Sequence, residues 1–400
     1  MRQEAIVGGS AGTGSRSLLR RMNSLGVLRE LMKGPRSLSE LAASSGISRT
    51  AVDAVIGDLV ELGWVTQGER QIAAGPGRPA TTYCLAPDSG HLLSIDIGAN
   101  HIHAVVTDLL GERRADVDVR VHEADDAPTR LAAAFDAIRA VSEGAELSPE
   151  DMWVITVGSP GAISDDGVVQ YFGGEGMPGW SGLNLREVFE ARYPAAVLVE
   201  SDVPLGAQAE LAYGAARGMR DAVYVLCGVR TSGAAIIGGR VHRGAHGAAG
   251  LVGELRQLRW LDLNERYGES VLPSPRPSRE QIFQAAREGE PAAVAAVEEF
   301  ADFLATGTAA LVLALDPQLV VIGGGSSPAA DVFLPRFTET INAICPMPVH
   351  AVASSLGSEA VALGGLSLAT TRIEEVLEAA VQDASDFPSP AATRMLLRHG

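Results

Sequence analysis

The strongest constraint on the fold is a change of hydrophobic period at Pro87-Asp88-Ser89-Gly90. Before it, apolar residues recur at helical spacing in short segments. After it, Leu92-Leu93-Ser94-Ile95-Asp96-Ile97-Gly98 is a buried strand running into a turn, and residues 101–107 return as a second strand. Four hundred residues are too many for one core, so Pro87–Gly90 reads as a linker between a helical head and an α/β body.

In the head, residues 17–33 place Leu18, Leu25, Leu28, Leu31 and Met32 on one stripe, predicting an amphipathic helix. Ser37-Leu38-Ser39-Glu40 is a capping box that opens a short second helix. Gly46 supplies a tight turn, Ser48 caps a third helix over 49–62, and Gly63 ends it. Trp64–Thr66 and Thr81–Leu85 read as strands around Gly75-Pro76-Gly77-Arg78-Pro79, which makes a winged helix-turn-helix. In that docking mode the start of the third helix faces the major groove. Arg49 can donate to guanine, Thr50 can meet a base or phosphate, and Ser48 at a helix N-terminus suits a phosphate. Asp53 can accept from cytosine or be merely solvated. Arg78 on the wing tip suits an A·T-rich minor groove, with Arg70 and Gln71 as further wing contacts. A three-helix bundle that touches no DNA is the alternative. Gly9–Ser15 imitates a phosphate loop but lacks its Lys and a preceding strand, so residues 1–15 are expected to be a flexible tail.

Charge divides the same way. Residues 1–90 carry 10 Lys/Arg against 8 Asp/Glu, a net of +2, while the remainder carries 22 against 41, a net of −19. Such a body repels a polyanion, confining double-stranded DNA to the head. No apolar run approaches the ~18–20 residues of a membrane helix, and residues 1–16 lack a signal peptide's apolar centre. The expectation is a cytoplasmic protein without a membrane partner. Cys84, Cys227 and Cys345 are too scattered for a disulfide framework or a metal pair.

The body repeats one theme, a strand that ends in glycines or an acid. Val154–Val157 runs into Gly158-Ser159-Pro160-Gly161, Pro178-Gly179-Trp180 turns toward a helix, Val197–Val199 ends in Glu200-Ser201-Asp202, and Leu319–Ile322 exits through Gly323-Gly324-Gly325. Strand–turn–strand with Asp96 and Gly98 at the bend is how an actin-like ATPase domain begins. With the Gly-Arg-Pro wing, this motif order resembles the ROK family of bacterial repressors and sugar kinases, over residues 16 to 370, and more its repressor branch. The resemblance implies an α/β, two-lobed actin-like, ribonuclease-H-like body behind a winged helix-turn-helix. It places the head at 16–87, a first lobe at 91–205 with a returning helix near 356–370, a second lobe at 206–355, and an extension at 371–400. The extension is expected to be a helix through Val381 and then a flexible end. The resemblance also implies a homodimer or homotetramer, since one head reads too few base pairs.

Departures from the family pattern bear on chemistry. Asp96, Gly98, Gly233 and Gly324 stand at nucleotide-site positions, as relics. Asp202 keeps the place of the family's base, but Ser201 replaces the Asn before it. Arg230-Thr231-Ser232 stands where glycines should approach phosphates. Leu251 and Glu254 replace a sugar-binding Glu and His. Residues 255–274 hold no cysteine, so neither the family zinc nor any other cofactor is expected. The expected function is a DNA-binding transcriptional regulator, a repressor without kinase activity, controlled by a small ligand such as a carbohydrate derivative. Gly161, Ser201, Asp202, Arg230, His246 and Glu254 are the candidate ligand contacts. A sugar kinase with an added head and a ligand-independent dimerisation scaffold are the alternatives.

Overall fold

The computed structural model describes residues 11–71, 80–87, 89–173, 176–228, 230–267 and 277–399. The head comprises α1 (Ala11–Leu31), β1 (Arg36–Ser37), α2 (Leu38–Ser45), α3 (Arg49–Glu61), β2 (Val65–Gln71) and β3 (Ala80–Leu85). Its local signals act as anticipated. Ser37 and Glu40 cap α2 reciprocally, Gly46 follows in the left-handed region at φ 70°, and Ser48 accepts the Ala51 N–H at the start of α3. Val52, Val55, Ile56 and Leu59 of α3 pack against Leu25, Leu28 and Leu31 of α1. Strands β2 and β3 pair antiparallel as a wing. One expectation fails here. Residues 11–15 stand as the first turn of α1 instead of in a tail, although Gly12 and Gly14 are poor helix formers, so the helix there extends from the stronger segment after Ser17.

The first lobe contains β4 (His91–Ile97), β5 (His101–Asp108), β6 (Arg113–Arg120), α4 (Ala127–Gly144), β7 (Met152–Ser159), β8 (Ala162–Ile163), β9 (Val169–Tyr171), α5 (Leu185–Glu190), β10 (Ala196–Ser201) and α6 (Asp202–Ala212). Its sheet order is β10-β7-β4-β5-β6, parallel at β10/β7/β4 and antiparallel at β4/β5/β6. The second lobe contains β11 (Ala222–Cys227), β12 (Thr231–Ile237), β13 (Arg240–His242), α7 (Trp260–Tyr267), α8 (Arg279–Arg287), α9 (Pro291–Leu315), β14 (Leu319–Gly323), α10 (Ala330–Ile344) and β15 (Ala351–Ala353). Its sheet, β13-β12-β11-β14-β15, repeats the antiparallel-then-parallel arrangement. Two such lobes leave a cleft where the strands exit into loops.

Helix α11 (Ala360–Asp383) then returns across the first lobe and meets α6 closely. A side chain at Gly364 would collide with the Leu205 carbonyl at 1.8 Å, so this crossing requires glycine. The helix runs without interruption past residue 370. Beyond it, α12 (Pro390–His399) packs on β7 and β10, where a flexible end was expected. The break at 384–390 is a turn between two packed helices, because Phe387 and Leu397 bury apolar surface that a free end would leave in water.

Head, first lobe and C-terminal extension share a single apolar core. Leu28, Val52, Trp64, Leu92, Trp153, Ile373, Leu377, Phe387 and Leu397 all belong to it. Trp64 is fully buried, donates from Nε1 to the Pro388 carbonyl at 2.7 Å, and stacks edge-on with Trp153 at 5.8 Å. Arg21 donates to the Val381 and Ser385 carbonyls, both at 2.9 Å. The linker is correspondingly tight. Ser89 and Gly90 are buried, and a side chain at Gly90 would strike the Trp153 ring at 2.7 Å.

Candidate functional site

The first exposed surface of interest is the start of α3. Arg49, Thr50 and Asp53 are all exposed, so the residues expected to meet DNA point to solvent together. Ser48 is exposed too, and its hydroxyl, occupied as acceptor by the Ala51 N–H, keeps its own hydrogen to donate. Ala54 and Gly57 continue this exposed face. With a methyl group at Ala54 and no side chain at Gly57, the helix is slim on this face, a feature the pattern of polar residues alone does not reveal. Asp58 is excluded from this face because Arg20 of α1 holds both its oxygens, at 2.6 and 2.5 Å. Arg70 and Gln71 lie at the end of β2, opposite Thr81 and Ala80. Arg78 lies outside the described residues.

The second site is the cleft, a cavity of about 700 Å³ lined from the first lobe by Asp96, Gly98, His101, Asp118 and Asp202. The second lobe adds Gly228, Arg230, Arg279, Phe283, Arg287 and Gly324. Asp96, on β4, and Asp202, just after β10, share the cavity because β4, β7 and β10 run parallel, with β7 between the other two. Burial pushes the Asp202 carboxyl up to about 7, reinforced by the Asp96 charge and opposed by the Val203 N–H at 2.8 Å. Ser201 donates to Asp202 at 3.2 Å but is itself buried at the strand end, behind the acid.

Asp96 is not free for a ligand. His101 Nε2 lies 3.0 Å from it, and this carboxylate raises the imidazole to about 9. Gly98 makes the pair possible, since a side chain there would meet the His101 ring at 2.6 Å. The turn is fixed from beneath by fully buried Arg130, which donates to the Gly98 and His122 carbonyls at 2.6 and 2.5 Å. His101 is therefore part of the site. Its nearness to the Asp96–Gly98 turn was the available signal, since a residue just past a two-strand bend faces back toward it.

Other expected contacts divide. Arg230 lines the cleft with its guanidinium 4.3 Å from the Phe172 ring centre. Gly324, at φ 83°, brings the loop after β14 to the cavity. Gly233 does not reach it. It faces inward from β12, where an added carbon would hit Leu311 at 2.6 Å, so its role is packing. Glu254 is at the rim, accepting from the Tyr171 hydroxyl at 2.7 Å and so joining the lobes. Gly161 turns at φ 108° against the Tyr171 carbonyl, and His246 is exposed in the loop after β13. None of Gly161, His246 and Glu254 lines the cavity. Arg279, Phe283 and Arg287 were not anticipated; α8 delivers them across a sequence gap that local pattern cannot bridge.

The ROK family pattern matches residues 92–258 and 263–372, and an IclR helix-turn-helix pattern matches residues 22–69. The chain belongs to the ROK family. It is similar to the xylose repressor of Caldicellulosiruptor bescii, 24% identical over 364 residues covering 82% of this chain and 89% of that one. It is also similar to the glucokinase of Streptomyces coelicolor, 26% identical over 70% of this chain and 98% of the enzyme. A solved ROK family transcriptional regulator, a homologue of the Escherichia coli MLC protein, superposes with a TM-score of 0.64 at 19% identity, covering 96% of this chain and all of that one. The kinase relative covers the ROK body and the regulators also cover the head. No described helix is long and apolar enough to cross a membrane.

Proposed function

We propose that this chain is a transcriptional repressor whose head binds operator DNA and whose cleft takes a small effector of carbohydrate type. The carrying observation is the exposed start of α3, with Arg49, Thr50 and Asp53 presented on a head that is fused to the first lobe through a shared core. A guanidinium and a hydroxyl at a helix N-terminus are what base-edge and phosphate contacts need. Repressor relatives that span head and body support the reading.

Phosphoryl transfer is disfavoured by the cleft's own residues. Asp96 is bound to His101, so its charge is largely spent before any metal–phosphate arrives. Arg230 over Phe172 fills space at a loop where kinases bring backbone to phosphate. The residues of the family's zinc segment do not fit the metal either. Arg259 pairs with Asp262, Trp260 is buried, and 255–274 supplies neither thiolate nor imidazole. Effector binding then works by population shift, which requires different affinity for open and closed lobes. Two copies reading a pseudo-palindrome provide the specificity one head lacks.

The test is fluorescence anisotropy of the full chain on duplexes from its own upstream region and on random duplex, at moderate salt, with and without sugars and sugar derivatives. The reading predicts preference for the upstream DNA, relieved by one effector. Equal binding to both duplexes sinks it. ATP turnover on a sugar, lost in Asp202→Asn, would return the kinase reading.

A further inference from the structure

Outside the cleft's carboxylate pair, one cluster of three metal-ligating side chains among the described residues stands on the edge of the first lobe. His103 of β5 and Asp116 and Asp118 of β6 project from the same face, and their ligand atoms all lie within 4.8 Å of one another. The register sets this up, because His103 pairs with Asp118 and Val105 with Asp116 across antiparallel strands, so alternate residues share a face. His103 is only 4% exposed. One of its ring nitrogens lies within 4.8 Å of an oxygen of each aspartate, and the Glu359 carboxylate also interacts with the ring by charge. An imidazole converging with carboxylates in this way is a donor set that a shared cation would draw together.

We propose that His103, Asp116 and Asp118 bind a divalent transition-metal ion at the rim of the cleft. One imidazole nitrogen and two carboxylate oxygens suit zinc, cobalt or manganese, and leave further positions to water. Ligands at ~2.1 Å from such an ion stand about 3.4 Å apart, and both aspartates, being exposed, reach that spacing by rotamer changes. The surrounding charge favours a cation. Among the described residues, Arg113 is the one guanidinium in an ion pair with Asp116, Asp118 or Glu359; it is held mainly by Glu359 at 2.9 and 3.0 Å and stands 3.6 Å from Asp116. His101, two residues along β5, feels Asp118 but is committed to Asp96. Asp118 also lines the cavity, and Glu359 lies immediately before α11. The ion therefore braces the edge strand at the corner where α11 begins.

The experiment is a cobalt titration of the full chain, read by visible absorption and by melting temperature, and repeated with zinc in competition. The site predicts uptake of one equivalent at micromolar metal with a rise in melting temperature. Asp118→Asn, exposed and harmless to packing, weakens uptake by at least about tenfold, in the range for loss of a metal-site partner. His103→Ala does the same. Uptake that survives Asp118→Asn and His103→Ala unchanged overturns the proposal. So does uptake lost in Asp202→Asn but kept in Asp118→Asn, which would give the ion to the cleft carboxylates. No uptake below millimolar metal also ends it.

Discussion

The head and the second lobe both adjoin the first lobe, but through different materials. The head joins through a continuous apolar core that includes Trp64, Trp153, Phe387 and Leu397. The second lobe has a core of its own around Phe283, Phe300 and Phe333, and its smaller cluster around Tyr224 is shared only with Val203, Ala207 and Leu211 of α6. Much of its join to the first lobe is polar. Tyr171 meets Glu254, and Arg243 bridges to Glu200 at 2.6 Å. Polar links exchange with water at small net cost, whereas separating an apolar core exposes its whole area. The large apolar join therefore holds the head to the first lobe more firmly than the smaller, more polar join holds the two lobes together.

The most forceful attack on that contrast is Trp64→Ala. It removes a fully buried ring at the centre of the shared core, at a cost of about 3–5 kcal/mol. In denaturant, head and first lobe should then lose structure together while hydrogen exchange in β11 and β14 stays protected. Early melting of the head alone, with α12 still protected, would show that the shared core is not one unit. Next in size is Arg49→Ala, which should weaken operator binding by about 1–3 kcal/mol without moving the melting temperature. A shift in melting temperature would mean that Arg49 supports the fold instead of reading DNA.

Where the lobes meet, the expected effects are smaller. The Tyr224 hydroxyl is buried between Gly206 and Gly323 with no hydrogen-bond partner among the described residues. Tyr224→Phe should therefore be neutral or stabilising, by up to about 1 kcal/mol, in urea unfolding. Clear destabilisation would mean the hydroxyl is paired. The smallest effect is in pH dependence. Folded His101 holds its proton to about 9, and an unfolded histidine releases it near 6.5. The folded state binds more protons in that window, so stability falls as pH rises through it. His101→Gln should flatten that part of the melting-temperature curve. Asp202 acts with the same sign in a lower window, from 3.8 to about 7.

The same division governs what the chain discloses in advance. Helix caps, the turn at Gly46 and the Asp96–Gly98 bend depend on neighbours within a few residues, so their residue types announce them. Asp202 was legible because it closes a strand. Arg279 was not. It reaches the cavity only after α8 folds onto α9, where its guanidinium donates to the Tyr267 and Gly228 carbonyls at 2.8 and 2.6 Å. Glu254 was assigned to the ligand from its place in a motif, yet the Tyr171 hydroxyl claims it from the opposite lobe. The packing of α12 likewise depends on Trp64 and Met152, which local composition after Asp386 does not reveal.

The contact between Trp64 and Pro388 spans 324 residues. A ribosome releases the head first, but its core lacks a wall until the chain has been made as far as α12. A nascent chain that stops short of α12 thus lacks one wall of the core that Trp64 occupies, and its α3 stands on an incomplete base.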